Sequence, residues 1–235
     1  MAVLEPSESE LVQPRQPDYP PSYNERVLTS PRSLATPALA PTWYATRGKR
    51  IFDVVVGLII AVAIVPLLAL AALVVVLSIG RPLFYRQLRV GEYGRPFRIL
   101  KYRTMRAEPV IDLTNRANMG LVVDVRDRTT AGSRMLRALS LDELPQIFNV
   151  LSGKMSLVGP RPEVWGKAAQ HGLVDHPRNQ VKPGMTGLWQ ISPERRGDII
   201  DGVMLDLEYV QTVSLRTDLG ILLRTPRAVL RSDTE

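Results

Sequence analysis

Hydrophobic positions are unevenly spread along this chain. Residues 54–79 run for 26 positions without a charge, whereas elsewhere the apolar stretches are short and broken by charges. At about 1.5 Å per residue the run makes about 39 Å of helix, enough to cross a hydrocarbon layer of about 30 Å. Pro66 sits at its middle, where it removes a backbone donor and kinks a helix. Both flanks are basic: Arg47, Lys49 and Arg50 precede the run, and Arg81, Arg86 and Arg89 follow it. Basic flanks favour the cytoplasmic side. A spanning helix satisfies one flank; a re-entrant helix that bends at Pro66 and returns satisfies both. On the residues alone both readings stand. Asp53, at the entry end, is expected to be an interfacial charge paired with a nearby Lys or Arg.

Beyond this run the pattern predicts shorter elements. Two β-prone stretches flank Gly91-Glu92-Tyr93-Gly94, which reads as a hairpin with a four-residue turn. Arg98, Lys101 and Arg103 then lie on a strand or just past it. Residues 106–132 are weakly patterned and read as a long loop. Residues 133–138 form a helix carrying Arg134 and Arg137. Helix is expected again from about Leu141 to Gly153, and over 163–170 with Pro162 at its first position and Gly172 past its end. Residues 181–189 are turn-rich. Residues 201–213 and 216–231 read as amphipathic helices. The last sets Leu219, Leu222, Leu223 and Leu230 beside Arg216, Arg224, Arg227 and Arg231, which suits either a core-facing helix or one lying in a membrane interface.

The N-terminal region is different in kind. Residues 1–46 hold eight of the 19 prolines and show no helical or strand period, so they read as a disordered Pro-rich tail. The expected organisation is this tail, a membrane segment over 47–81, and a cytosolic domain over 82–235. The first apolar run begins too late for a signal peptide.

Charge and composition narrow the partners. The net charge is +7, and the isoelectric point is near 10.0, which points to an anionic partner. Residues 81–137 hold 13 Lys and Arg against 5 Asp and Glu, directly after the apolar run. Lipid headgroups and phosphates therefore outrank nucleic acid, for which no recognition signature is present. Cysteine is absent, which excludes disulfides, thiolate metal sites and a cysteine nucleophile. No P-loop occurs. His171 and His176 lack metal-ligand spacing, so any metal is expected to be hard and oxygen-ligated, hence Mg²⁺.

The candidate chemistry lies in LSLDELPQIFNVLSG, residues 139–153. Asp142 and Glu143 are adjacent carboxylates in an apolar frame, with Arg134 and Arg137 upstream and Gly159-Pro160-Arg161-Pro162 downstream. Acids beside arginines suit phosphate chemistry: acids hold a divalent cation or attack phosphorus, and arginines take phosphate oxygens. Arg161, between two prolines, loses backbone freedom before any ligand arrives. A structural alternative competes. Ser140-x-x-Glu143 matches a capping box, although Pro145 would fall at the fifth helical position and capping leaves Asp142 unexplained.

Taken in order, KRIFD (49–53), the apolar run with Pro66, RQLRVG (86–91), FRILKYRTM (97–105), LRALSLDELPQIFNV (136–150), MSLVGPRP (155–162) and KPGMTG (182–187) form a set. That set resembles the bacterial sugar transferase family, monotopic phosphoglycosyl transferases that start glycan synthesis on a polyprenyl-phosphate carrier. The resemblance covers about residues 47–231. It implies a mainly α fold with a small β-hairpin, anchored by one N-terminal re-entrant, proline-broken helix and carrying amphipathic interfacial helices. It implies transfer of a sugar-1-phosphate from a nucleotide diphosphate sugar, usually a UDP-sugar, to polyprenyl (undecaprenyl) phosphate. Asp142 matches the family's nucleophile and Glu143 its Mg²⁺ ligand, and the two form the expected catalytic pair. Arg137 and Arg161 match its phosphate-binding arginines; Lys101, Arg103 and Pro162 complete the expected substrate-binding set. Pro66 matches the membrane break. The implied partners are the sugar nucleotide, the carrier and membrane lipid, with no nucleic acid. The implied location is the bacterial inner membrane with the catalytic domain on its cytoplasmic face. The sugar, the nucleotide and the oligomeric state are not legible. One departure is Val65, where the family often has Ser before the proline. The rival reading is a non-catalytic anchor that recruits assembly partners through the Pro-rich tail.

Overall fold

The computed structural model describes residues 42–106, 128–193 and 199–230. Most of the Pro-rich tail and most of the expected 106–132 loop lie outside the described residues. A π-helical turn, Tyr44–Gly48, leads into α1 (Lys49–Ala63). One non-helical residue, Ile64 (φ −90°, ψ 1°), separates it from α2 (Val65–Ser78). Pro66 falls in the first turn of α2, where no intrahelical acceptor awaits its missing N–H. The ladder resumes on both sides, with Ile64 N–H bonding Ile60 O at 2.9 Å and Leu68 N–H bonding Ile64 O at 2.8 Å, without a serine hydroxyl at position 65. Among the described residues no single helix is long and apolar enough to cross a membrane. Tyr44–Ala63 and Val65–Ser78 meet that test together and bend by 60°.

The polarity of α1 is inverted. Its buried residues are Lys49, Asp53 and Gly57, four apart on one face, while Ile51, Val55, Leu58, Ile59 and Val62 are exposed. The polar stripe docks the helix on the rest of the protein. Asp53 Oδ1 accepts from Ser156 Oγ at 2.9 Å and from the Leu157 N–H at 3.0 Å. Lys49 instead pairs with the fully buried Asp218 at 2.7 Å, whose carboxylate also accepts from Tyr44 and Tyr209 hydroxyls at 2.6 and 2.7 Å. Among the described residues Asp53 makes no ion pair, although the Lys49 charge is near; it is a buried acceptor for a strand and not an interfacial charge. Arg50 donates to the carbonyls of Val150 and Leu151. In α2 only Ala71 and Val75 are buried, against Tyr102 and Leu136, and Leu70, Leu73 and Leu77 stay exposed. A bare apolar surface of this kind on two consecutive helices marks a face made for lipid or protein.

The hairpin forms as expected. Strands β1 (Phe84–Val90) and β2 (Pro96–Tyr102) pair antiparallel from Phe84↔Tyr102 to Val90↔Pro96. That register leaves five residues in the connection, one more than the turn motif suggested. After the undescribed stretch, α3 (Ala131–Ala138) opens on a capping box made by Thr130 and Ser133. A 3₁₀ segment, Leu141–Gln146, runs into α4 (Ile147–Leu151), and the chain leaves at Gly153 with φ +80°. Strand β3 (Ser156–Val158) is followed by α5 (Trp165–Gln170), whose N-cap is Val164. Pro162 therefore precedes that helix instead of opening it. Strand β4 (Gly184–Thr186) lies parallel to β3. Helices α6 (Leu188–Ile191), α7 (Ile199–Gln211) and α8 (Leu215–Leu230) complete the described chain. On α8, Ile221 and Asp218 are buried while Leu219 and Leu223 remain exposed, so the helix serves the core and still presents an apolar edge. The main core joins Ile99, Ile147, Val150, Met155, Val158, Tyr209 and Val210.

Candidate active site

Ser140 shapes the site first. It sits in the left-handed region with φ +54° and makes no side-chain cap. A residue in that conformation cannot serve as an ordinary N-cap, whose backbone is extended, so the Ser140-Glu143 capping box does not form. The Ser140 carbonyl accepts from the Glu143 N–H at 3.2 Å, and the Ser140 N–H donates to the Arg137 carbonyl at 3.0 Å. Left-handed backbone at a non-glycine residue is costly and is tolerated where the surroundings enforce it. Here it turns the chain sharply after α3 and sets Asp142 and Glu143 at the start of the 3₁₀ segment. Pro145, lacking an N–H, suits this short tight helix better than a regular α-helix.

Both acids face a polar cavity of about 620 Å³. Lys101 and Arg103 line it from the end of β2, Arg137 from α3, and Arg161 from the loop after β3. Every expected binding residue except Pro162 is therefore brought to one place. Lys101 Nζ reaches Glu143 Oε1 at 2.5 Å. Burial acts to raise the Glu143 pKa, but the charges of Lys101 and Arg161 outweigh it and hold this carboxyl below its usual range. Asp142 moves the other way. Burial, and then the neighbouring Glu143 charge, push it up to about 6, against the pull of Lys101 and Arg137. Two adjacent acids thus take different proton affinities from their surroundings.

Two of the expected residues have other partners. Arg103 directs Nη2 at the carbonyls of Gly80 and Arg81, at 3.1 and 2.7 Å, and so ties the exit of α2 to the hairpin. Pro162 is buried, and its carbonyl accepts from Arg89 Nη1 at 2.8 Å. Arg89, half-buried between burial and the charge of Arg161, has its pKa lowered.

The loop bearing Arg161 is held from several sides. It meets the 182–187 segment so closely that an added Cβ on Gly184 would fall 2.1 Å from Gly159 N, and one on Gly159 would fall 2.4 Å from Lys182 O. The two glycine-containing motifs noted in the sequence are therefore one unit in space. The Arg161 guanidinium lies 5.5 Å from the centre of the Trp189 ring, a cation–π approach. The sequence placed Arg89 only in the basic flank of the apolar run and Trp189 only as a packing, interfacial or base-stacking ring, and it gave Arg178 and Asp206 no role. Trp189 immediately follows the KPGMTG motif and its leucine, a signal that could have been taken; Arg178 and Asp206 sit in no local pattern.

A second cavity, of about 490 Å³, opens beside the first and shares Ser140, Glu143 and Arg161 with it. Its remaining walls are largely apolar: Ile60 of α1, Leu144, Ile147, Leu157, Met185, and Leu222 and Val229 of α8. Polar and apolar volumes therefore meet at Glu143, with Asp142 on the polar side.

Comparison with known proteins agrees with this arrangement. The model of the bacterial sugar transferase family matches residues 44–232. The UDP-glucose:undecaprenyl-phosphate glucose-1-phosphate transferase of Caulobacter vibrioides is 40% identical over 193 residues, covering 79% of this chain and 70% of that protein. The exopolysaccharide production protein ExoY of Sinorhizobium fredii is 37% identical over 201 residues, covering 79% and 86%. The undecaprenyl-phosphate galactose phosphotransferase of Salmonella typhimurium is 39% identical over 196 residues, covering 79% of this chain but 41% of that longer protein. By family match and by identity over most of its length, this chain belongs to the bacterial sugar transferase family.

Proposed function

We propose that this protein transfers a sugar-1-phosphate from a nucleotide diphosphate sugar, of the UDP class, to polyprenyl phosphate. The observation that carries this reading is the meeting of a basic polar cavity and an apolar one at Ser140, Glu143 and Arg161. One substrate is water-soluble and the other is a lipid, and each finds a volume of its own polarity. The names of the Caulobacter and Salmonella relatives describe the same class of reaction.

In this reading Asp142 is the nucleophile. Its ionised carboxylate attacks the phosphorus that bears the sugar, and the bond to the nucleoside monophosphate breaks. The phosphosugar is carried as an acyl phosphate on Asp142. A phosphate oxygen of the carrier then attacks the same phosphorus, releasing Asp142 and leaving a polyprenyl diphosphate sugar. Splitting the transfer lets substrates from two phases use one carboxylate in turn. Arg137 and Arg161 offset phosphate charge as it moves to the leaving group. Lys101 keeps Glu143 ionised.

Among the described residues no group of three or more His, Cys, Asp or Glu could hold a metal ion. Mg²⁺ commonly takes one or two carboxylates and completes its shell with substrate phosphates and water. Glu143 beside Asp142 fits such a shared ion, and not a resident one. When bound, Mg²⁺ would offset diphosphate charge.

The exposed apolar residues of α1 and α2, with basic residues at both ends, support seating of the bent pair in the cytoplasmic leaflet as a re-entrant anchor. The carboxylates would then stand at headgroup depth on the cytoplasmic face. The test is a panel of nucleotide sugars offered with undecaprenyl phosphate and Mg²⁺, scored for released nucleoside monophosphate. Release that requires the lipid phosphate and selects one sugar is expected. No release from any donor overturns the assignment.

A further inference from the structure

The buried pair Arg178 and Asp206 is not explained by the site described so far. Arg178 is 2% exposed and Asp206 1%. Burying two charges is a poor route to stability, because desolvation consumes most of the attraction. The pair's position suggests another purpose. Arg178 Nη2 donates both to Asp206 Oδ2 and, at 2.7 Å, to the carbonyl of Arg161. The Arg161 N–H in turn favours the charged form of Asp206. One buried ion pair thus addresses the backbone of the arginine common to both cavities.

The whole loop follows one plan. The Pro160 carbonyl accepts from Gly184 N–H at 2.9 Å, and the Glu163 carbonyl from Val90 N–H at 3.0 Å. The Pro162 carbonyl accepts from Arg89 Nη1 at 2.8 Å, and the Arg161 carbonyl from Arg178. Four consecutive carbonyls are held by four different donors from three parts of the chain: the end of β1, Arg178 and Gly184. Arg161 lies between two prolines that already restrict it. A residue fixed this firmly presents its guanidinium without further ordering when a phosphate arrives.

We propose that Arg178 and Asp206 are positioning residues: they hold the Arg161 backbone so that its guanidinium stands over Trp189 at the junction of the two cavities. This rests on the reading of Arg161 as a phosphate-binding residue, and it adds that binding is preorganised from behind by a pair that touches no substrate.

The test is a cycle of variants in the full-length protein. Arg178→Met alone leaves a buried carboxylate unpaired and is expected to fold poorly. The double variant R178M/D206L removes both charges of the buried pair. Glu163, whose carboxylate stands 3.9 Å from Arg178, loses that cation but keeps the charge of Arg89 nearby. The double variant is expected to lower kcat/KM for the nucleotide sugar at least tenfold. In an R161A background the same double change should cost less than twofold, since there is no guanidinium left to position. Losses that multiply instead overturn the proposal while leaving the proposed reaction intact. A second readout does not depend on turnover. The indole ¹⁵N–H resonance of Trp189, assigned by loss in W189F, should shift in R178M/D206L toward its position in R161A. A resonance unmoved from wild type overturns the proposal even if the protein transfers no sugar at all. Absence of turnover in the wild type, with the indole shift present, refutes the assigned reaction and keeps the positioning role.

Discussion

Lys101 Nζ and Glu143 Oε1 lie 2.5 Å apart, joining the end of a hairpin strand to the start of a 3₁₀ segment 42 residues later. This contact sets the charge state of the site, because Lys101 favours ionisation of both Glu143 and Asp142. Lys101→Met should raise both pKa values and lower kcat/KM by at least tenfold. The acid limb of its pH–rate profile should move to higher pH. A profile that falls uniformly without moving would assign Lys101 to substrate contact alone.

Asp142 itself predicts a pH dependence. The proposed attack requires an ionised Asp142, and burial pushes its pKa up to about 6. Activity in wild type should therefore rise as pH passes through about 6 and level off above it. The measurement is kcat/KM from pH 5 to 8 at saturating carrier. Bound Mg²⁺ and diphosphate change the local charge, so the limb in kcat is expected to differ from that in kcat/KM.

The same shift carries a stability consequence. The folded Asp142 holds its proton up to about pH 6, whereas the free carboxyl releases it near 3.8. The folded state binds the extra proton between those values, so stability from this group is lost as pH rises through that window. Asp142→Asn removes the penalty. It should stabilise the fold above pH 6 in the presence of EDTA, by up to about 3 kcal/mol before solvent screening reduces the figure, and this is read as a higher Tm. The advantage should vanish below about pH 4. An active-site substitution that stabilises while abolishing turnover is the expected signature of a site arranged for function.

The anchor can be probed separately. Asp218 accepts from Lys49, Tyr44 and Tyr209 and is fully buried. Lys49→Met would leave that carboxylate without its cation, at a cost of about 3–5 kcal/mol. Asp218→Asn combined with Lys49→Met should recover part of the loss. Thermal unfolding in a mild detergent reads both. Equal stability of the single and double variants would show that the ion pair is not what docks α1.

Gly159→Ala tests the loop geometry. Its Cβ would meet the Lys182 carbonyl at 2.4 Å, so β3 and the 182–187 segment must separate. Destabilisation of about 1–3 kcal/mol is expected, with a larger loss in donor kcat/KM than in Tm would suggest, because Arg161 moves with the loop.

Much of this was legible in the chain because the decisive patterns are local. Pro66 within an uncharged run predicts the break, and the hairpin follows from β-prone stretches around Gly91 and Gly94. Asp142, Glu143, Arg137 and Arg161 lie within 25 residues, so their motif points to one site. What escaped depends on distance or on context. The 3₁₀ form of residues 141–146 and the left-handed Ser140 share their sequence pattern with an ordinary capping box, and only the turn enforced after α3 separates them. Asp53 reads as a flank charge, since nothing near it announces that Ser156 and Leu157, more than 100 residues later, will bond it. Arg103 reads as a phosphate ligand by charge, yet helix-end carbonyls take one of its donors. Arg178 and Asp206 carry no pattern because their partner, the Arg161 backbone, is created only by the fold.

The central claim is a covalent group on Asp142. The most direct measurement is intact-mass analysis of purified protein mixed with its sugar nucleotide and Mg²⁺ in the absence of carrier, followed by peptide mapping. A gain of one phosphosugar on the peptide containing Asp142, discharged when undecaprenyl phosphate is added and missing in Asp142→Asn, is the predicted result. Product formation in a rapid single turnover with no such mass at any time would contradict it.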